Sequence, residues 1–189
     1  MIKKSIDSYI QATTACINSL KVDDIQNILK LLIDVNKQGG KINLCGNGGS
    51  AATASHGAND LNNAFSHMAG TMPAIALSDN VSLLTATAND HSYEDVFEYQ
   101  LRYLLKADDV LITISGSGNS ENVIKAALYA REKSAKVIAM VGFDGGRLKS
   151  LADCCFHAHV NNMQISEDMH MMCLHLLSNL ISQTPHNGV

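Results

Sequence analysis

Apolar positions in the first forty residues recur at helical spacing. Tyr9, Ile10, Thr13, Ile17 and Leu20 fall on one stripe, Val22–Asp24 interrupts it, and Ile25, Ile28, Leu29, Leu32 and Ile33 resume it. Gly39–Gly40 closes the second stretch where a C-terminal glycine belongs. The spacing predicts two helices, an N-terminal helical pair packed antiparallel. Its apolar face must find cover on the main body or on another subunit.

Beyond residue 40 short apolar runs alternate with helical stretches. Strands are predicted at Lys41–Cys45, Pro73–Leu77, Asp109–Ile114, Lys136–Val141 and Cys155–Val160. Helices are predicted at about 51–63, after Ser78–Asp79, and at about 93–105, 121–133 and 166–182, with a frayed tail after Pro185. Strands alternating with helices imply parallel pairing through right-handed crossovers, here an α/β fold with a five-stranded parallel sheet covered on both faces. The chain reads as one domain over 1–189, with an arm at 1–40 and a core at 41–183, and no linker between them.

Composition narrows the class. Of 189 residues 46% are hydrophobic and 17% charged, which supports a large core and excludes a disordered chain. The net charge is -4 and no basic run exceeds Lys3–Lys4, which argues against a nucleic-acid partner. No apolar stretch follows Lys3–Lys4 as in a signal peptide, and none approaches the ~18 residues of a membrane span. The cysteines number five, include the adjacent Cys154 and Cys155, and form no C-x-x-C. They read as reduced core thiols, and the expected compartment is the cytoplasm.

Ligands of parallel sheets bind beyond the carboxyl ends of the strands. Two of those ends are rich in Gly, Ser and Asn: Gly46–Ser50 and Ser115–Ser120. Glycines admit an anion close to the backbone, the serines donate hydroxyls, and the following helix adds free N–H groups and its dipole. A strand-to-helix turn needs one glycine and one capping residue for itself. Six consecutive residues limited to Ser, Gly and Asn exceed that need and point to phosphate. The pattern is neither a Walker nor a Rossmann fingerprint, which counts against a nucleotide.

His56 and Asp60 lie four apart on a predicted helix, a spacing that suits a shared metal and equally an ordinary surface pair. Glu167 and His175 lie eight apart, ~12 Å along a helix axis, so one ion reaches both only if Glu167 sits at a frayed helix start. Read alone, they are a helix-start acid and a core histidine. His157 and His159 share a strand face but read as structural, and Met169, Met171, Met172 and Cys173 as a soft packing surface. Asp144–Gly146 reads as a turn, and Glu94 and Asp95 as helix-start acids.

Taken together, Cys45–Ser50, Ala88–Asp90, Ile114–Ala126 and Gly142–Gly146 resemble the sugar isomerase (SIS) domain, and within it the phosphoheptose isomerases. The likeness runs from the N-terminal helices to about Ser182. It implies a flavodoxin-like three-layer αβα sandwich, a homotetramer built partly by the N-terminal helices, and a sugar phosphate as ligand. The implied reaction converts sedoheptulose 7-phosphate to D-glycero-D-manno-heptose 7-phosphate through an enediol, assisted by zinc. By position, the substrate would meet Asn47, Gly48, Gly49, Ser50, Asn89, Asp90, Ser115, Gly116, Ser117, Asn119, Ser120 and Gln164. Zinc would be held by His56, Asp60, Glu167 and His175, with Asp60 and His175 moving the proton and His170 behind them.

Four positions depart from the family pattern: Asp60 stands for a glutamate, Glu167 for a glutamine, Gly116 for a threonine and Gln164 for an aspartate. They cluster at the sugar end of the expected site. They leave room for an isomerase of another phosphosugar, or for a non-catalytic regulator of the replication-initiator-binding type. His175 favours an enzyme, because such adaptors carry asparagine there.

Overall fold

The computed structural model describes residues 2–66, 68 and 72–184; the tail after Pro185 lies outside them. Helices α1 (Ile2–Asn18) and α2 (Val22–Lys37) precede strand β1 (Ile42–Gly46) and α3 (Gly49–Phe65). Then come β2 (Ala74–Ala76), α4 (Val81–Asp90), a 3-10 turn at Tyr93–Asp95 and α5 (Glu98–Leu104). The second half holds β3 (Val110–Ser115), α6 (Glu121–Glu132), β4 (Lys136–Val141), α7 (Gly146–Leu151), β5 (Cys154–His157) and α8 (Met163–Ser182).

All five strands pair in parallel in the order β2-β1-β3-β4-β5, the flavodoxin-like arrangement. Alternation along each strand divides the core into two layers. Ile112, Ile114, Ile138 and Met140 face one side with Leu32, Leu61, Leu174 and Leu177. Leu111, Val137, Ala139 and Val141 face the other, with Phe97, Leu101, Val123 and Leu148. This is the expected three-layer sandwich. Burying a side chain of this size contributes roughly 1.5–3 kcal/mol, so each face of the sheet is a major source of stability.

The arm departs from the expected antiparallel pair. Both helices form, but α2 packs on β5 and α8 rather than along α1. Its single apolar stripe, with Ile28, Leu32 and Val35, is consumed by the body. Helix α1 buries Cys16 alone and reaches the start of α8, where the Tyr9 hydroxyl donates to Asp168 Oδ2 at 3.0 Å. No described helix is long and apolar enough to cross a membrane.

Candidate active site

The register pairs Gly46 with Ile114, so the loops after β1 and β3 emerge side by side. Gly48 turns the first loop with φ +54° and ψ −121°, a conformation that favours glycine, and α3 starts at the next residue. Ser120 caps α6 in an extended conformation, yet its hydroxyl makes no capping bond and lies 3.3 Å from Ser115 Oγ. Two helix N-termini and several hydroxyls thus meet at one cavity of about 260 Å³. Asn47, Gly48, Gly49, Ser50, Ser115, Gly116, Ser117 and Ser120 all line it, and no Lys or Arg does. An anion there would meet hydrogen-bond donors and the positive ends of two helix dipoles, with the Glu167 carboxylate also in the wall. Larger clefts of about 580, 710 and 490 Å³ contain neither loop, and one of about 550 Å³ is lined by Ser117 and Asn119 with Phe143, Asp144 and Asn161.

The other expected contacts stand outside that wall. Asn119 is committed to the scaffold: its Nδ2 donates to the Ser117 carbonyl and its Oδ1 accepts from Arg147 N, both at 3.0 Å. Asn89 and Asp90 end α4 and bond to each other at 2.8 Å. Gln164 is exposed in the first turn of α8. Met163 and Glu167 join the wall instead. A Cβ at Gly116 would collide with Met163 Sδ, so the methionine fills space next to the position where the family carries threonine.

One helical length away, α3 and α8 bring His56, Asp60 and His175 together. Asp60 Oδ2 lies 3.2 Å from His56 Nε2 and 3.5 Å from His175 Nε2, and the two ring nitrogens are 3.2 Å apart. One ligand atom from each residue falls within 4.8 Å of the others. Two imidazoles and a carboxylate with an open side suit a zinc ion of the catalytic kind. Glu167 is not in this group. Asn162 caps α8, which begins at Met163, so Glu167 occupies the second turn rather than a frayed start. Its carboxylate lies against Gly49, where a Cβ would collide with it.

Comparison with known proteins decides the family. The SIS domain model matches residues 8–142. The phosphoheptose isomerase of Helicobacter pylori strain P12 is 37% identical over 183 residues, 97% of this chain and 95% of that protein. That of Nitratiruptor is 43% identical over 154 residues, 82% of each. The solved phosphoheptose isomerase of Neisseria gonorrhoeae superposes with TM-score 0.88 at 31% identity, covering 97% of this chain and all of that one. The chain belongs to the SIS-domain family. Within it the chain aligns with the phosphoheptose isomerases and is an isomerase.

Three further histidines, His157, His159 and His170, are described by their surroundings. His157 is 8% exposed, bonds Lys149 Nζ through Nδ1 at 3.2 Å and the Phe143 carbonyl through Nε2 at 3.0 Å, and stacks on His159 at 3.7 Å. His170 is fully buried and packs edge-on to Phe156. Burial, opposed by the Val141 backbone and reinforced by His157, pushes its pKa down to about 4. It stays neutral under ordinary conditions.

Proposed function

We propose that the protein interconverts a ketose and an aldose phosphate, with sedoheptulose 7-phosphate as substrate and D-glycero-D-manno-heptose 7-phosphate as product. One observation carries this reading: the anion seat and the His56–Asp60–His175 cluster share helix α3. Gly49 begins that helix at the seat, and His56 is seven residues further along it. The axial distance is ~10 Å, comparable to an extended six- or seven-carbon phosphate with its carbonyl end at the cluster.

The chemistry moves one proton between adjacent carbons. Asp60 Oδ2 takes the proton from the hydroxyl-bearing carbon, the electron pair forms the enediol, and the same carboxylate returns the proton to the neighbouring carbon. A ring nitrogen of His175 that is not committed to a metal would move the second proton between the two oxygens. His56 Nε2, at 3.2 Å, helps to hold the Asp60 carboxylate. Ser50, Ser115, Ser117 and Ser120 keep the phosphate at the far end and so orient the reacting carbons. His56, Asp60 and His175 would hold a zinc ion, and a cation there would supply positive charge beside the carbonyl oxygen. We infer further that copies of the chain associate through α1, toward the homotetramer expected from the family likeness.

The test is turnover of sedoheptulose 7-phosphate by metal-stripped protein, with and without added zinc. The expected result is heptose 7-phosphate formed only with zinc. Absence of turnover, with the phosphosugar still protecting the protein against thermal unfolding, would replace the isomerisation of this sugar by binding alone or by another phosphosugar.

A further inference from the structure

The side chain of Asn47 is not free. Its Nδ2 donates to Asn122 Oδ1 at 2.8 Å, and its Oδ1 accepts from Asn122 Nδ2 at 2.9 Å and from the Tyr93 hydroxyl at 2.8 Å. The orientation of this pair follows from chemistry. The backbone N–H of Val123 can only donate, and it meets Asn122 at 3.0 Å, so the atom it meets is the carbonyl oxygen. Asn122 must then offer its amino group to Asn47, and Asn47 must answer with its own carbonyl oxygen. Both acceptor positions of Asn47 Oδ1 and one of its two N–H groups are consumed, and a single N–H remains. Asn47 lines the anion cavity.

Three separate segments meet at this amide pair. Asn47 belongs to the loop after β1, Asn122 is the second residue of α6 and is 3% exposed, and Tyr93 belongs to the 3-10 turn. That turn is fastened to α6 a second time, by Lys125 to Asp95 at 2.9 Å and to Glu94 at 3.1 Å. The loop after β1 and the start of α6 are therefore joined by a side-chain pair of which Asn47 lines the cavity and Asn122 does not.

We propose that Asn122 is a positioning residue for the phosphate seat. It fixes the Asn47 amide so that the remaining N–H serves the ligand, and it ties the N-terminus of α3 to that of α6 as one anion-binding unit. Tyr93 acts with it as an outer brace. This assignment rests on the sugar-phosphate reading of the cavity.

The experiment is a double-mutant cycle on the full chain, with Asn47→Ala, Asn122→Ala and both together. Affinity for inorganic phosphate is measured by calorimetry, and KM and kcat with sedoheptulose 7-phosphate. Asn122→Ala is expected to weaken phosphate binding about tenfold, the scale of one or two lost hydrogen bonds, and to raise KM far more than it lowers kcat. In the Asn47→Ala background the same change is expected to cost less than about twofold, since a residue acting through Asn47 has nothing left to position. Effects that multiply, or unchanged phosphate affinity in Asn122→Ala, overturn the proposal. Should Asn122→Ala fail to fold, Tyr93→Phe replaces it, because Tyr93 is half-exposed and keeps its ring. It is expected to cost about threefold alone and nothing beside Asn47→Ala. Wild-type protein that binds neither phosphate nor the phosphosugar removes the sugar-phosphate reading itself, whereas wild-type binding with multiplying effects removes only the role of Asn122.

Discussion

In the proposed mechanism Asp60 carries the largest chemical burden of any single residue. It touches both His56 and His175, and its carboxylate is one methylene shorter than the glutamate of the family pattern. Asp60→Asn keeps the shape and removes the base. Turnover is expected to fall at least about 100-fold, the usual contribution of a general base, with zinc content reduced in the same protein. Steady-state kinetics and metal analysis check both. His170 makes a different prediction. Its folded pKa of about 4 lies below the unfolded value of 6.5, so the unfolded chain binds more protons between those limits. The stabilisation from keeping it neutral is full above pH 6.5 and is lost as pH falls toward 4. The gap corresponds to about 3 kcal/mol. Denaturant midpoints from pH 7 to 4.5 should fall less steeply in His170→Leu than in wild type. The serine-rich loop was legible because six small polar residues between a strand and a helix are a local signal. So was the separation of Glu167 from His175, which the helical rise alone demands and the Asn162 cap preserves. Met163 and the Tyr93–Asn47–Asn122 bracing were not legible, because they depend on which helix end meets which loop.

At the level of elements, periodicity found what was long and missed what was short. Helix α7 spans Gly146–Leu151, too few residues for an apolar stripe, and its opening Gly145–Gly146 reads as a turn in sequence. In the structure the segment around those glycines interlocks with the Ser115–Ser120 loop. Gly142 N donates to the Gly116 carbonyl at 2.8 Å and Leu148 N to the Gly118 carbonyl at 2.9 Å. The stretch expected as one helix over 93–105 splits into the 3-10 turn and α5, which frees Tyr93 to reach Asn47. Strand β5 stops at His157 because it is the edge of the sheet and has a partner on one side only. The interlock has a testable weak point at Gly118. Its φ is +66°, and a Cβ there would strike the Gly145 carbonyl. Gly118→Ala is expected to destabilise the protein by more than about 1 kcal/mol and to weaken phosphosugar binding as well. Thermal unfolding with and without sedoheptulose 7-phosphate separates the two effects. Loss of stability with full ligand protection would show that the loop tolerates displacement from α7.

At the scale of the whole molecule, among the described residues, helix α1 carries an apolar surface without cover. Ile2, Ile6, Ile10 and Ile17 are 78, 54, 57 and 43% exposed, and their spacing places them along one side of α1 with Tyr9 beside them. A helix of 17 residues is marginal by itself in water, and α1 gives the body little in return: buried Cys16, partly buried Ala12 and the Tyr9–Asp168 hydrogen bond. Exposed apolar stripes of this kind commonly mark protein contacts, and the association proposed above would cover this one. The helix moment was legible in the sequence, but its destination was not. Periodicity shows that a face is apolar and not whether the chain's own body covers it. Copies of α1 packed against one another, or against the body of a neighbour, satisfy both the stripe and the helix. Light scattering of the wild-type protein is expected to give a mass well above 20.3 kDa, with four times that value for the tetramer. Ile6→Asp with Ile10→Asp should lower the mass to that of smaller species, because a buried unpaired carboxylate costs several kcal/mol at an interface. The same pair of changes leaves the sheet untouched, so circular dichroism should lose at most the signal of α1. A wild-type monomer would overturn the association and leave the exposed stripe to be explained by a different partner. If the double variant dissociates while still binding inorganic phosphate, the seat is complete within one subunit. If phosphate binding is lost with the assembly, a neighbouring chain supplies part of it.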